Sequence, residues 1–278
     1  MRTADAPPAE RAEGPTPGGS GKPAAADRGH RYRFHFEKTG SAALLGHLDL
    51  VRELPRVFRR LAVALVYTQG FHPKPQMTFG PALALGVASL GEQVDLRLED
   101  HRDEVALRQL VEDMNRVSPA GLRFVAAQAL GSKDKAVTRE IDGARYLLAF
   151  ERPIVDEAAG VAGEGAEQWL ASRCEAVLAA SELPLRRKAK GRFRTVDARR
   201  HLRALAPASG AAGDLLHRAD ISGDRLVVEA VVDITANGSV RVSEIAQVLF
   251  GGSEPPAYRA ARIALLTDGD DHGAVLSR

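Results

Sequence analysis

Apolar positions along the chain change their period in a recurring order. Residues 31–37 alternate Tyr32, Phe34 and Phe36 with other side chains, the period of two that belongs to a strand. Leu44, Leu48, Val51, Leu54, Phe58 and Leu61 then recur at steps of three and four, which places them on one face of a helix. Pro55 interrupts that stripe; it lacks an N–H and clashes one turn back, which predicts a kink or break at Leu54. Residues 64–68 and 92–98 read as strands. Residues 102–116 read as a helix ended by Ser118-Pro119, and 122–127 as a closing strand.

The same order returns further along. A strand at 146–150 precedes a helix at 165–180, whose Trp169, Leu170, Cys174, Val177 and Leu178 form the buried stripe. A strand from near Leu185, a strand at 225–233, a helix at 242–250 and a strand at 259–266 follow, with Gly251 placed to cap the last helix. Even the openings align, Arg31-Tyr32 and Phe36-Glu37 matching Arg145-Tyr146 and Phe150-Glu151 at one offset. The order predicts an α+β protein of tandem ferredoxin-like (βαββαβ) units, antiparallel sheets with helices on one face. The alternative is one larger α+β domain. The units span 31–130 and 145–268, joined by a linker at 131–144. Residues 1–30, rich in Ala, Pro and Gly, and 269–278 are expected to be loose tails.

Composition narrows the classes. With 278 residues and 45% apolar content the chain can bury a substantial core. Cys174 is the sole cysteine, which excludes an intrachain disulfide framework, a cysteine zinc site and the three-cysteine ligation of a self-sufficient iron–sulfur enzyme. No apolar run has the length to cross a bilayer and no secretory block opens the chain, so the expected location is cytoplasmic, with no membrane partner.

Charge changes the picture through its placement. The formal net charge is only +2, yet residues 186–203 hold nine Lys or Arg against one acid, a local +8, leaving the remainder at −6. Arg186, Lys188, Lys190, Arg192 and Arg194 occupy alternate positions, and alternate residues of an extended strand share a face. Such a row, with Arg199 and Arg200 nearby, has a spacing comparable to the phosphate repeat of an extended nucleic acid, and Phe193 would point the other way as an anchor. Gly191 allows a different outcome, a hairpin with a basic tip. A plain solvated edge strand is the bland reading, although edges usually need fewer cations.

The loop Tyr67-Thr-Gln-Gly-Phe-His-Pro-Lys-Pro75 sets His72 and Lys74 each before a proline, which favours an extended, stiff backbone. Gly70, Phe71, His72 and Lys74, with His47 and Asp49 from the helix, form a candidate loop for substrate or partner. His47 and His72 are also the candidate acid and base of a metal-independent ribonuclease. His47 and Asp49, two residues apart, point to different sides of a helix, which argues against a metal site.

Phe36-Glu-Lys-Thr-Gly40, Gly46-His-Leu-Asp49, the Tyr67–Pro75 loop and Leu85-Gly-Val87 resemble, in order, the motifs of the radical-SAM-linked protein family. Lys190-Gly191, Thr195-Val-Asp197 and Arg262 are similar to its pattern in the second half. That family is an uncharacterised domain fused to, or encoded beside, radical SAM proteins of the cobalamin-binding type. The resemblance spans about 31–268 and departs at Pro55 and in the N-terminal tail. It implies a radical SAM protein as partner, with the cluster carried by that partner. Tandem ferredoxin-like units are also the layout of RAMP-type endoribonucleases, an analogy of fold alone. The reading is therefore a non-catalytic, cofactor-free RNA-binding accessory of a radical SAM enzyme, in tRNA or rRNA modification. The rivals are a RAMP-like ribonuclease and a protein adaptor.

Overall fold

The computed structural model describes residues 28–270 except Lys190 and Ser209, so most of both expected tails lies outside the described residues. The protein is α+β, and the described residues form seven α-helices, one large, mostly antiparallel sheet and a separate two-stranded one. In the first half, β1 (His30–Lys38), α1 (His47–Arg60), β2 (Met77–Phe79), β3 (Ala88–Leu98), α2 (Glu104–Val117) and β4 (Leu122–Leu130) follow in turn. The one-turn helix α3 (Val137–Glu140) leads into β5 (Ile141–Glu151), α4 (Arg152–Ala159) and α5 (Glu164–Ala179). Then come β6 (Pro184–Ala189), β7 (Arg192–Asp197), β8 (Leu202–Pro207), α6 (Ala211–Arg218), β9 (Arg225–Asp233), α7 (Val242–Phe250) and β10 (Arg259–Thr267).

The strands of the main sheet lie in the order β4-β1-β3-β10-β5-β9-β8, with β2 also on β3. Each half thus repeats one spatial order, β4-β1-β3-β2 and β10-β5-β9-β8, with every pairing inside a half antiparallel. β3 is long enough to serve two partners on one edge. Its C-terminal part pairs with β2, and its N-terminal Ala88 and Ser89 pair in parallel with Ala261 and Arg262 of β10, which fuses the halves into a single sheet.

Local chemistry accounts for most boundaries. Asp103 caps α2 by accepting from the Ala106 N–H at 2.8 Å, and Gly251 ends α7 with φ +73°. Gly121 takes φ +81° before β4, where a Cβ would stand 2.2 Å from the Thr39 carbonyl oxygen, so only glycine permits that approach. Tyr32, Phe34 and Phe36 pack under α1 and α2, while Tyr146, Leu148 and Phe150 pack under α4, α5 and α7. β5 is buried on both faces, because α6 lays Ala212 and Leu216 over Leu147 and Ala149 on the opposite side. That double burial explains its unbroken apolar run.

Four expectations are corrected. α1 passes through Pro55 without a break; the carbonyl one turn back belongs to Val51, which borders an open cleft where water can satisfy it. The buried face of α1 is Leu50, Leu54, Val57 and Phe58, whereas Leu44 sits in a preceding 3-10 turn and Leu48 in the first helical turn, both exposed. Residues 64–68 form only isolated bridges, Leu65 to Leu98 and Tyr67 to Pro75, and the strand is β2 instead. The strand near Leu185 belongs to a separate hairpin, β6-β7; β8 takes the expected place in the main sheet.

Candidate nucleic-acid interface and flanking clefts

The basic segment folds back on itself. β6 pairs with β7 from Pro184↔Asp197 to Ala189↔Arg192, and Gly191, just before β7, takes φ +77°. Partners directly across an antiparallel pair share a face. Arg186, opposite Thr195, and Lys188, opposite Phe193, therefore lie on one face, while Arg192 and Arg194 lie with Arg187 on the other. The expected single row of cations is corrected to two faces of one projecting hairpin. Lys190 lies outside the described residues.

Phe193 is a second correction. It is 60% exposed rather than an anchor, with the Arg186 guanidinium 4.8 Å and the Lys188 ammonium 6.0 Å from its ring centre. The anchors are Leu185, buried in the second-half core, and Arg187, which the spacing of alternate cations passes over. Arg187 donates to both Glu244 oxygens at 2.7 and 2.5 Å and to the Ser239 carbonyl at 2.8 Å. Asp197 ties down the other strand by accepting from the Leu183 and Arg199 N–H groups. Those backbone donors, the Leu183 N–H first, hold its carboxyl below the usual range.

The candidate cations now separate by role. Among the described residues, no carboxylate comes within ion-pair distance of Arg186, Lys188, Arg192 or Arg194, and all four are exposed. Arg199 is used internally, donating to the Leu178 and Leu202 carbonyls, and Arg200 pairs with Asp197 at 3.2 Å.

The His-Pro-Lys-Pro loop is the tip of a second hairpin. Thr68 and Lys74 exchange hydrogen bonds, the Thr68 N–H donating to the Lys74 carbonyl at 2.8 Å and the Lys74 N–H to the Thr68 hydroxyl at 3.0 Å. Gly70, Phe71 and His72 project from this base, Gly70 at φ +125° and Phe71 fully exposed. His47 opens α1, its ring edge-on to Phe79 at 5.1 Å. His47 and Lys74 line one cleft of about 540 Å³ with Met77 and Phe79, but His72 is not in its wall. Asp49 is a capping residue, accepting from the Gly46 N–H at 2.9 Å. Among the described residues, no three His, Cys, Asp or Glu converge as metal ligands. Cys174 is buried in the second-half core, which pushes its thiol up to about 12.

Where the halves meet, the helix face of the sheet buries a charged cluster. Arg262, with no exposed surface, donates to both Glu92 oxygens at 2.5 to 2.8 Å and to the Pro81 carbonyl at 2.9 Å. Ser89 donates to Glu92 at 2.6 Å. Lys38, also fully buried, donates to the Ala43 and Leu45 carbonyls, and burial lowers its ammonium below the ordinary value. Lys38 and Arg262 both fall in the motif stretches, and their place here is one of internal support.

The site and fold together define an α+β protein carrying an unneutralised basic hairpin. The model of an uncharacterized protein family conserved in bacteria, DUF2344, matches residues 31–242, and the chain belongs to that family. No curated protein matches it.

Proposed function

We propose that the protein is a non-catalytic RNA-binding accessory that works with a radical SAM enzyme in RNA modification. The observation that carries this reading is the β6-β7 hairpin, where four exposed cations lack carboxylate partners among the described residues and two of them, Arg186 and Lys188, flank an exposed aromatic ring. Cations that track a backbone and a ring on which a base can stack are the two components of single-strand recognition. The radical SAM part of the proposal rests on the motif resemblance, and one surface suits a protein contact. Leu44, Leu48 and Leu85 are 67 to 69% exposed on adjoining segments, joined by the Gly86 N–H donating to the Ala43 carbonyl at 3.0 Å.

Filter binding of single-stranded RNA across a salt series tests the reading. If all four described cations meet phosphates, the logarithmic affinity falls with a slope of about −3, from roughly −0.7 per phosphate. The double reversal Arg186→Glu with Lys188→Glu lowers affinity at every salt concentration and flattens the slope. RNA retention that ignores salt, or that survives the reversal unchanged, defeats the proposal. Cleavage of RNA in the presence of chelator would instead support the ribonuclease reading of His47 and His72.

A further inference from the structure

We propose a second anion site, specific for a phosphate group, in the cleft between the sheet and the Tyr67–Pro75 hairpin. The site stands apart from β6-β7 and does not depend on RNA binding there. Arg31 of β1 and Arg97 of β3 are directly opposed in register, on the sheet face away from α1 and α2. Like charges placed opposite each other on a sheet repel, and these two are only partly exposed, so solvent screens them incompletely. Among the described residues, neither lies within ion-pair distance of a carboxylate. Arg31 donates to the Gly131 and Asp134 carbonyls, and Arg97 to those of Arg28 and Gly29.

A third cation faces the same space. Lys74, held by the hairpin base, lines the cleft of about 630 Å³ together with Arg31, Arg97 and Thr78. The acid in the wall, Asp95, is already committed, accepting from Arg33 at 2.6 and 3.1 Å and from the Val137 N–H at 2.8 Å. Three cations line one cleft with no free acid in its wall among the described residues to balance them, which suits a group of two negative charges and several acceptor oxygens. Guanidinium forks match phosphate oxygens in this way, and Lys74 adds a point charge. The stiff His-Pro-Lys-Pro backbone fixes the position of that charge, giving the loop a role that His72 does not supply. The phosphate belongs either to a small phosphate ester or to the terminus of an RNA strand.

The test is calorimetric titration of the full chain with inorganic phosphate at constant ionic strength, with chloride as the control. Phosphate is expected to bind, and Lys74→Ala and Arg97→Gln each to weaken it about tenfold or more, as loss of a charge-assisted hydrogen bond does. The Lys74 side chain supports nothing else described, so its variant folds even if Arg97→Gln does not, and circular dichroism checks both. The reversal at Arg186 and Lys188 should leave phosphate binding intact. A 5′-phosphorylated hexaribonucleotide binding tighter than its 5′-hydroxyl twin, with the margin lost in Lys74→Ala, assigns the phosphate to an RNA end. Equal binding of the two oligonucleotides, with free phosphate still bound, assigns it to a small ester. No phosphate heat above chloride, or undiminished binding in Lys74→Ala, overturns the site.

Discussion

Arginines in the sheet and cations in the β6-β7 hairpin come from the same composition and meet opposite fates. Arg33, Arg145 and Arg262 are each turned into the protein against a carboxylate, Asp95 and Glu140 for the first, Glu229 for the second, Glu92 for the third. Arg186, Lys188, Arg192 and Arg194 stand in solvent with no such partner among the described residues. Arg187, between them in sequence, sides with the first group. What separates the groups is whether the fold brings an acid to the guanidinium. A cluster of charge in a sequence therefore marks a surface only after the internal ion pairs have been set aside.

The largest break in this comparison is expected at the junction of the halves. Arg262→Ala leaves Glu92 buried without its counter-charge, and removal of one partner of a buried pair typically costs about 3–5 kcal/mol. Burial opposes the charge on Arg262, and Glu92 together with Tyr146 more than offsets that opposition, so chemical denaturation should show this loss whether or not RNA is present. Replacing Arg262 and Glu92 together by apolar residues should cost less than the sum of the single losses.

A smaller effect is expected at the hairpin. Phe193→Ala should lower single-stranded RNA affinity by about 1–3 kcal/mol, the usual value of one stacked base, with a salt slope and a melting temperature close to those of the parent. Unchanged affinity would reduce the hairpin to a purely electrostatic contact.

The mildest test concerns His35, half-buried on the sheet face beside Arg33. Burial first, and Arg33 second, hold its imidazole below the ordinary 6.5. A depressed folded value means that the unfolded chain takes up the proton first, so stability falls as pH drops below about 6.5. His35→Gln should flatten that dependence in thermal melts between pH 5 and pH 8, at roughly the range where histidine titrates. An identical pH profile in the variant would show that His35 does not control it.

Much of this was legible in the residues. The bounds of β9 and α7 follow directly from apolar spacing and caps, because both are continuous segments whose neighbours in sequence supply their ends. The basic segment and the proline-flanked loop were also readable as candidate contacts, since charge and Pro or Gly chemistry are local properties. The hairpin was open as an alternative through Gly191, yet its register was not, and register alone put Phe193 among the cations. Arg187 was invisible as an anchor because Glu244, its partner, lies on a helix far along the chain.

Composition and period thus settled the α+β class and most of the long elements, which depend on contacts a few residues apart, while α4, α6, β7 and β8 escaped them. The burial of Arg262 and Lys38, the fusion of two halves along β3 and the meeting of Arg31 with Lys74 and Arg97 were decided only when distant strands paired. Long-range pairing selects which charges are neutralised, and no local pattern carries that choice.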